Sequence, residues 1–252
     1  MKRVGIIGVG EIGRALVTGL RHDGDTSIEI YLSPRGATTS AALASAFPGV
    51  HVCASNQDVV DNSDLVIIAV RRQDHHEALA GLRISGKVVV NVMAGVADLR
   101  ETLGTDSPVV RAIPLPAIRE RRSITVVHPS HPVVDALFDR LGGALPVADE
   151  AAFDVFSALT GTLTTHYAYL ATLASWATDH GIVSGDADRY LRDLFQGVGR
   201  SLGDETRTLA QLAADHETAG GSNERIRTTW FDEANSDALR GALDGLLTIL
   251  RR

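Results

Sequence analysis

The sequence predicts a doubly wound α/β domain followed by an all-helical domain, and three observations carry that prediction. A glycine-rich turn, Gly8-Val9-Gly10-Glu11-Ile12-Gly13, stands directly behind an apolar run at the start of the chain. Val- and Ile-rich runs without polar alternation recur through the first half, the pattern of parallel strands buried on both faces. All 8 prolines lie at or before Pro146, and only helical patterns follow. The domains are therefore expected at 1–148 and 149–252.

Taken in order, the strand candidates are RVGIIGVG, SIEIYLS, VHVCA, DLVIIAV, KVVVNVMA and VVRAIPL, with helices between them covering both sides of the sheet. The first helix opens through Arg14, Ala15 and Leu16. Behind Pro146, Phe153, Phe156, Leu163, Tyr167, Leu170 and Trp176 recur at helical spacing, and Tyr190, Leu191, Leu194 and Phe195 begin a second apolar stripe. The stretch from Val155 to Thr178 has no Asp, Glu, Lys or Arg. Its Ser, Thr and His content is too high for a membrane span, so a buried helix is expected there. Glu11 and Arg14 interrupt the apolar start before a signal peptide could form.

The composition excludes several function classes. The chain has 252 residues, 44% hydrophobic and 22% charged, with a formal net charge of −7. With no basic block, nucleic acid and anionic membrane are not expected partners. Lys2 and Lys87 are the only lysines, so no mechanism can call on a lysine in the helical half. The single cysteine, Cys53, excludes an internal disulfide and a cysteine-built zinc site, and a cytoplasmic compartment is expected. His75-His76 and the His128, His131 pair lack carboxylate partners at metal-ligand spacing and read as solvated surface; no metal is expected. Arg119, Glu120, Arg121 and Arg122 read as a solvent-facing turn.

The turn at 8–13 follows a strand, opens a helix and lies within a βαβ pattern, which is the context a Rossmann-type dinucleotide site requires. Its first glycine allows the tight turn, its second the approach of a pyrophosphate, and its third close helix–strand packing. Selectivity between dinucleotides is decided at the end of the second strand, where NAD sites carry a carboxylate for the ribose 2′-hydroxyl. Here the sequence reads Tyr31-Leu32-Ser33-Pro34-Arg35-Gly36. A hydroxyl and a guanidinium fork suit a 2′-phosphate, so NADP(H) is the expected cofactor.

Further segments follow GVGEIG and the SPR after the second strand, in order: Asn56 in ASNQDVVD, AVRRQ at 69–73, NVMAG at 91–95, RAIPLP at 111–116 and AGGSNE at 219–224. With these segments the chain resembles the pyrroline-5-carboxylate reductase family over nearly its whole length. The resemblance implies NAD(P)H-dependent reduction of a cyclic imino acid by a homodimer whose helical domains interlock. It implies that Gly8, Val9, Gly10, Glu11, Ile12, Gly13, Ser33 and Arg35 hold the dinucleotide, with Asn56 against the adenosine half. Ala69, Val70 and Arg71, then Met93, Ala94 and Gly95, would flank ribose and nicotinamide. Where the family carries Ser-Gly-Pro-Ala-Tyr, this chain reads Thr162-Leu163-Thr164-Thr165-His166-Tyr167. Where it carries Ser-Pro-Gly-Gly-Thr-Thr, this chain reads Thr218-Ala219-Gly220-Gly221-Ser222-Asn223. The dinucleotide half is kept and the substrate half is rewritten.

Reducing an imine needs hydride at carbon and a proton on nitrogen. A substrate bound as its iminium already holds that proton, and the protein then mainly positions the reactants. Otherwise His166 is the nearest titratable donor, with Thr165 beside it, and Thr162 as a substrate hydrogen-bonding candidate. Gly220, Gly221, Ser222 and Asn223 form the expected cradle for a substrate carboxylate, at the start of a helix running from Glu224 to Phe231. Two alternatives stay open: an NADP-dependent oxidoreductase for another substrate, such as a specialised cyclic imine or a deazaflavin, and a non-catalytic NADP(H)-binding regulatory protein.

Overall fold

The computed structural model describes residues 1–96 and 98–251, and the chain divides into two compact units, Met1–Phe156 and Ser157–Arg252. The first unit is built on eight strands: β1 (Arg3–Ile7), β2 (Glu29–Leu32), β3 (Val50–Val52), β4 (Leu65–Ile68), β5 (Val88–Asn91), β6 (Val109–Ile113), β7 (Thr125–His128) and β8 (Ala144–Pro146). They form one sheet in the order β3-β2-β1-β4-β5-β6-β7-β8. β1 to β6 pair in parallel, β7 runs antiparallel to β6, and β8 is parallel to β7. Winding reverses between β1 and β4, which opens a crevice at the carboxyl ends of those two strands.

The helices of this unit are α1 (Glu11–Leu20), α2 (Ala37–Ala46), α3 (Asn56–Asp61), α4 (His75–Leu79), α5 (Leu99–Leu103), α6 (Pro132–Asp139) and the first turns of α7 (Glu150–Thr160). The β4 sequence LVII explains the missing alternation: all four side chains are buried, Leu65 and Ile67 in one apolar cluster, Val66 and Ile68 in the other. Successive residues of a strand face opposite sides, so a strand between two helical layers needs apolar residues at every position. The six expected strands are all present. β7 and β8 were not expected; β8 is a short edge strand ending on Pro146, where a missing N–H costs the ladder nothing.

Arg21, 4% exposed, closes the carboxyl end of α1 by donating to the carbonyls of Pro48, Asp25, Ile28 and Gly49. Burial pulls its guanidinium below its ordinary pKa, against the opposing pull of Glu29 and Asp25. Arg121, expected to face solvent, instead donates Nε to the carbonyl of Gly19 at 3.0 Å. The histidines at 128 and 131 are likewise tied in. His128 Nδ1 lies 3.2 Å from the Val147 carbonyl and His131 Nδ1 accepts the N–H of Val133 to cap α6. Among the described residues no group of three or more His, Cys, Asp or Glu could hold a metal ion.

The division between units falls inside α7 rather than before it, because Arg111 on β6 ties that helix down. Its guanidinium pairs with Glu150, lies 3.5 Å from Asp154 and stands 4.2 Å over the Phe153 ring. The second unit continues with α8 (Thr162–Asp179), α9 (Ser184–Ser201), α10 (Leu209–Asp215), α11 (Ser222–Trp230) and α12 (Glu233–Leu250). The expected single buried helix over 155–178 is corrected in two ways. It breaks at Gly161, and no residue of α8 is buried, with Tyr167 70% and Trp176 62% exposed. Among the described residues of this unit only Ala158, Ala187 and Leu212 are buried. No helix among the described residues is long and apolar enough to cross a membrane.

Candidate functional site

The site begins at the turn after β1. Gly8 has φ +97°, and a Cβ there would lie 2.6 Å from the carbonyl carbon and oxygen of Ala69 and 2.7 Å from the nitrogen of Val70. Only glycine lets the two main chains approach this closely at the mouth of the crevice. Gly13, one turn into α1, lies against the Gly8 carbonyl in the same way. In front of Gly10, the N-cap of α1, an added Cβ would meet nothing within 4 Å. Open space, unpartnered first-turn amides and the helix dipole there fit a pyrophosphate. Glu11, whose carboxylate would oppose an anion, is held by Arg14 at 2.7 Å and Arg119 at 3.5 Å. The side chains of Val9 and Ile12 pack into the core, so these two can offer a ligand only main chain.

The segment after β2 departs from expectation at Ser33. That side chain is 1% exposed, and its hydroxyl accepts the Gly8 N–H at 3.0 Å. It braces the glycine turn from behind instead of facing a phosphate. Arg35 is accessible, 49% exposed, with its guanidinium 3.4 Å from Asp74 and 3.5 Å from Glu77. Asp74 also accepts from Arg71 Nε at 2.7 Å. An ionic cluster therefore joins the segment after β2 to the one after β4. Asn56 donates one side-chain N–H to the Ala78 carbonyl at 2.9 Å, which ties α3 to α4 and leaves its side-chain oxygen and second N–H for a nucleoside.

The segment after β5 completes this edge. Met93 is 8% exposed, whereas Ala94 and Gly95 are exposed, and Gly95 turns the chain with φ +69°. The structure thus gathers 8–13, 33–35, 69–71 and 93–95 at the carboxyl ends of β1, β2, β4 and β5, four neighbouring strands. Sequence reasoning missed Asp74 and Glu77; the spacing of Arg71 to Asp74, three residues on a helical turn, was the available signal.

In the helical unit, the expected substrate residues are distributed between α8 and the start of α11. Thr162 donates its hydroxyl back to the Leu159 carbonyl at 2.8 Å, which occupies its proton. Thr165 and His166 are exposed on α8, the His166 ring 6.0 Å from Phe195 on α9 in an edge-on arrangement. Tyr169 and Trp230 stack nearby at 5.3 Å, linking α8 to α11. The 220–223 loop is corrected in detail. Gly220 donates its N–H to Glu224 Oε2 at 2.5 Å and Gly221 donates to the Thr218 carbonyl at 2.7 Å. Asn223 spends its side-chain amide on the His216 carbonyl. The two glycines therefore shape the loop, and the open main-chain donors are the amides of Ser222, Asn223 and Glu224, since no side chain caps α11.

The chain is 30% identical over 191 residues to the pyrroline-5-carboxylate reductase of Pseudomonas aeruginosa, an alignment that covers 71% of this chain and 68% of that protein. It belongs to the pyrroline-5-carboxylate reductase family. Two solved structures of pyrroline-5-carboxylate reductases share its fold. The one from Coxiella burnetii has a TM-score of 0.81 at 20% identity, covering 98% of this chain and 97% of that one. The one from Plasmodium falciparum, with NADP bound, has a TM-score of 0.78 at 14% identity, covering 99% and 97%. Residues 3–95 also match a family described as "NADP oxidoreductase coenzyme F420-dependent", a match that ends at Gly95 and leaves the helical half of this reductase-family chain outside it.

Proposed function

We propose that this chain is an NADPH-dependent reductase of the C=N bond in a small cyclic imino acid. The observation that carries the reading is the open glycine turn at the β1–β4 crevice in a chain of this family. When bound, the reduced nicotinamide supplies the hydride. The α1 amides and the space before Gly10 receive the pyrophosphate, and Arg35 receives the 2′-phosphate where an NAD site would have a carboxylate. The segments at 69–71 and 93–95 wall the other nucleoside. The amides of Ser222, Asn223 and Glu224, aligned with the α11 dipole, hold the substrate carboxylate without a lysine. His166, with Thr165 as the weaker candidate, hands a proton to the ring nitrogen when the imine arrives neutral.

We assign the working form as a homodimer through the helical unit. Support comes from its exposed apolar side chains, among them Tyr167, Trp176, Tyr190 and Leu209, which a lone soluble chain does not leave in water at this density. A monomeric mass by light scattering at micromolar concentration, with full activity, would refute the assignment.

Loss of NADPH absorbance in the presence of pyrroline-5-carboxylate and a panel of ring-expanded imino acids tests the reaction. Turnover of at least one acid is expected. Tight NADPH binding without turnover of any would instead favour the regulatory protein, and NADPH-dependent reduction of a deazaflavin alone would favour the other oxidoreductase.

A further inference from the structure

Asn91 is the last residue of β5, and only 2% of the residue is exposed. Both ends of its carboxamide are used. Its Oδ1 accepts the Met93 N–H at 2.9 Å and its Nδ2 donates to the Val96 carbonyl at 2.7 Å. One side chain thus clasps both feet of the loop at 92–96. Met93 and Val96, each 8% exposed, plug those feet into the apolar cluster beneath, leaving Ala94 and the left-handed Gly95 as an exposed tip. Arg72 lies over the tip, its Nη1 3.2 Å from where a Gly95 Cβ would be.

The position of this loop gives the clasp a purpose. A dinucleotide laid across the glycine turn has its two nucleosides on opposite sides of β1. Arg35 marks the 2′-phosphate side, after β2, so the loop after β5 lies on the side of the other nucleoside. We infer that Asn91 is the positioning residue for the nicotinamide half of the cofactor: it touches no ligand and sets the loop that does. The inference rests on the dinucleotide reading above. The chemistry of the side chain is specific to the task. Aspartate could accept from Met93 but would set a buried anion against the Val96 carbonyl, leucine would fill the space and hold neither foot, and serine is too short to reach both.

The test separates the two halves of the cofactor. Calorimetry of wild type, Asn91→Leu and Asn91→Ser is run with adenosine 2′,5′-diphosphate, which probes the adenosine side, and with NADP+, which probes both. Steady-state kinetics with NADPH and thermal melts run alongside. Asn91→Leu is expected to leave the adenosine diphosphate Kd within about twofold, to raise the NADP+ Kd about tenfold and to lower kcat at least tenfold, because displacement of a positioned reactant by about 1 Å can cost two orders of magnitude. Asn91→Ser, keeping one of the two hydrogen bonds, is expected in between, and it decides the matter alone if the leucine variant does not fold. Equal losses for both ligands, or no loss for either with kcat unchanged, would overturn the inference while the dinucleotide reading stands. Wild-type protein that binds neither ligand would overturn both.

Discussion

Arg35→Ala should convert a selective enzyme into an indifferent one, and the geometry bounds the size of the effect. A charge-assisted hydrogen bond from a guanidinium to a phosphate is worth about 1.5–3 kcal/mol. Arg35 is 49% exposed, which favours the lower end. The free protein also holds it against two carboxylates, Asp74 at 3.4 Å and Glu77 at 3.5 Å, and a 2′-phosphate must compete with both. The exposed pair with Glu77 contributes at most about 1 kcal/mol, and Asp74, with a side chain 16% exposed, is already shared with Arg71 at 2.7 Å. The net contribution to NADPH is then about 1–2 kcal/mol, or about five- to thirtyfold in kcat/KM. NADH, which lacks the phosphate, should change by less than about twofold on the same scale. Glu77→Gln supplies the opposite arm: removing a competitor should improve NADPH by up to about fivefold and leave NADH alone. The assay is initial rate against each cofactor at fixed imino acid, at low and high salt, since exposed charges are screened. Equal loss for both cofactors in Arg35→Ala would refute the assignment of Arg35 to the 2′-phosphate.

Three further outcomes are expected. Gly221→Val brings a Cβ within 2.8 Å of the Thr218 carbonyl and should displace the amides of Ser222 to Glu224; KM for the imino acid should rise at least about tenfold with NADPH KM within about threefold, and a carboxylate-free imine turned over as well as the acid would sink the cradle. His166→Phe keeps the edge contact with Phe195 and removes the proton, so kcat should fall at least about a hundredfold, whereas a rate within about threefold would show that the iminium arrives protonated. Asp25 is held well below the ordinary carboxylate range by the amide and hydroxyl of Ser27, with Arg140 adding to them. A depressed folded pKa contributes stability above about pH 4 that is lost as pH falls toward the folded value. Asp25→Asn should therefore lower Tm at neutral pH, with the gap to wild type closing as the pH drops below about 4; a gap independent of pH in thermal scans would assign it to something other than the charge.

What could be read from the sequence was what local pattern records. A strand such as LVII, buried on both faces, and a glycine turn between a strand and a helix carry their tertiary context in their own residues. Other features are relations between distant positions. Ser33 looks like a phosphate ligand in its own segment, and only the Gly8 N–H, 25 residues away, shows that its hydroxyl is spent. Arg121 reads as part of a charged turn until Gly19 appears opposite it. The amides of Gly220 and Gly221 read as free until the loop closes on Thr218 and Glu224. Apolar periodicity in α8 also reports that a face must be covered, without reporting by what. The expectation of a buried helix over 155–178 failed on that distinction.

The near absence of buried side chains between Ser157 and Arg251 has a consequence for how this half can change over evolutionary time. In the sheet unit, a substitution at Ile67 or Phe138 is judged by neighbours in the same chain, so compensating changes should be found among residues that touch. Leu163, Tyr167, Trp176 and Tyr190 are 46%, 70%, 62% and 69% exposed, so much of each side chain has no such judge within its own chain. In the proposed dimer, pairs of positions in the helical half should drift together across divergent relatives although they lie far apart in one copy, and the sheet half should show the opposite.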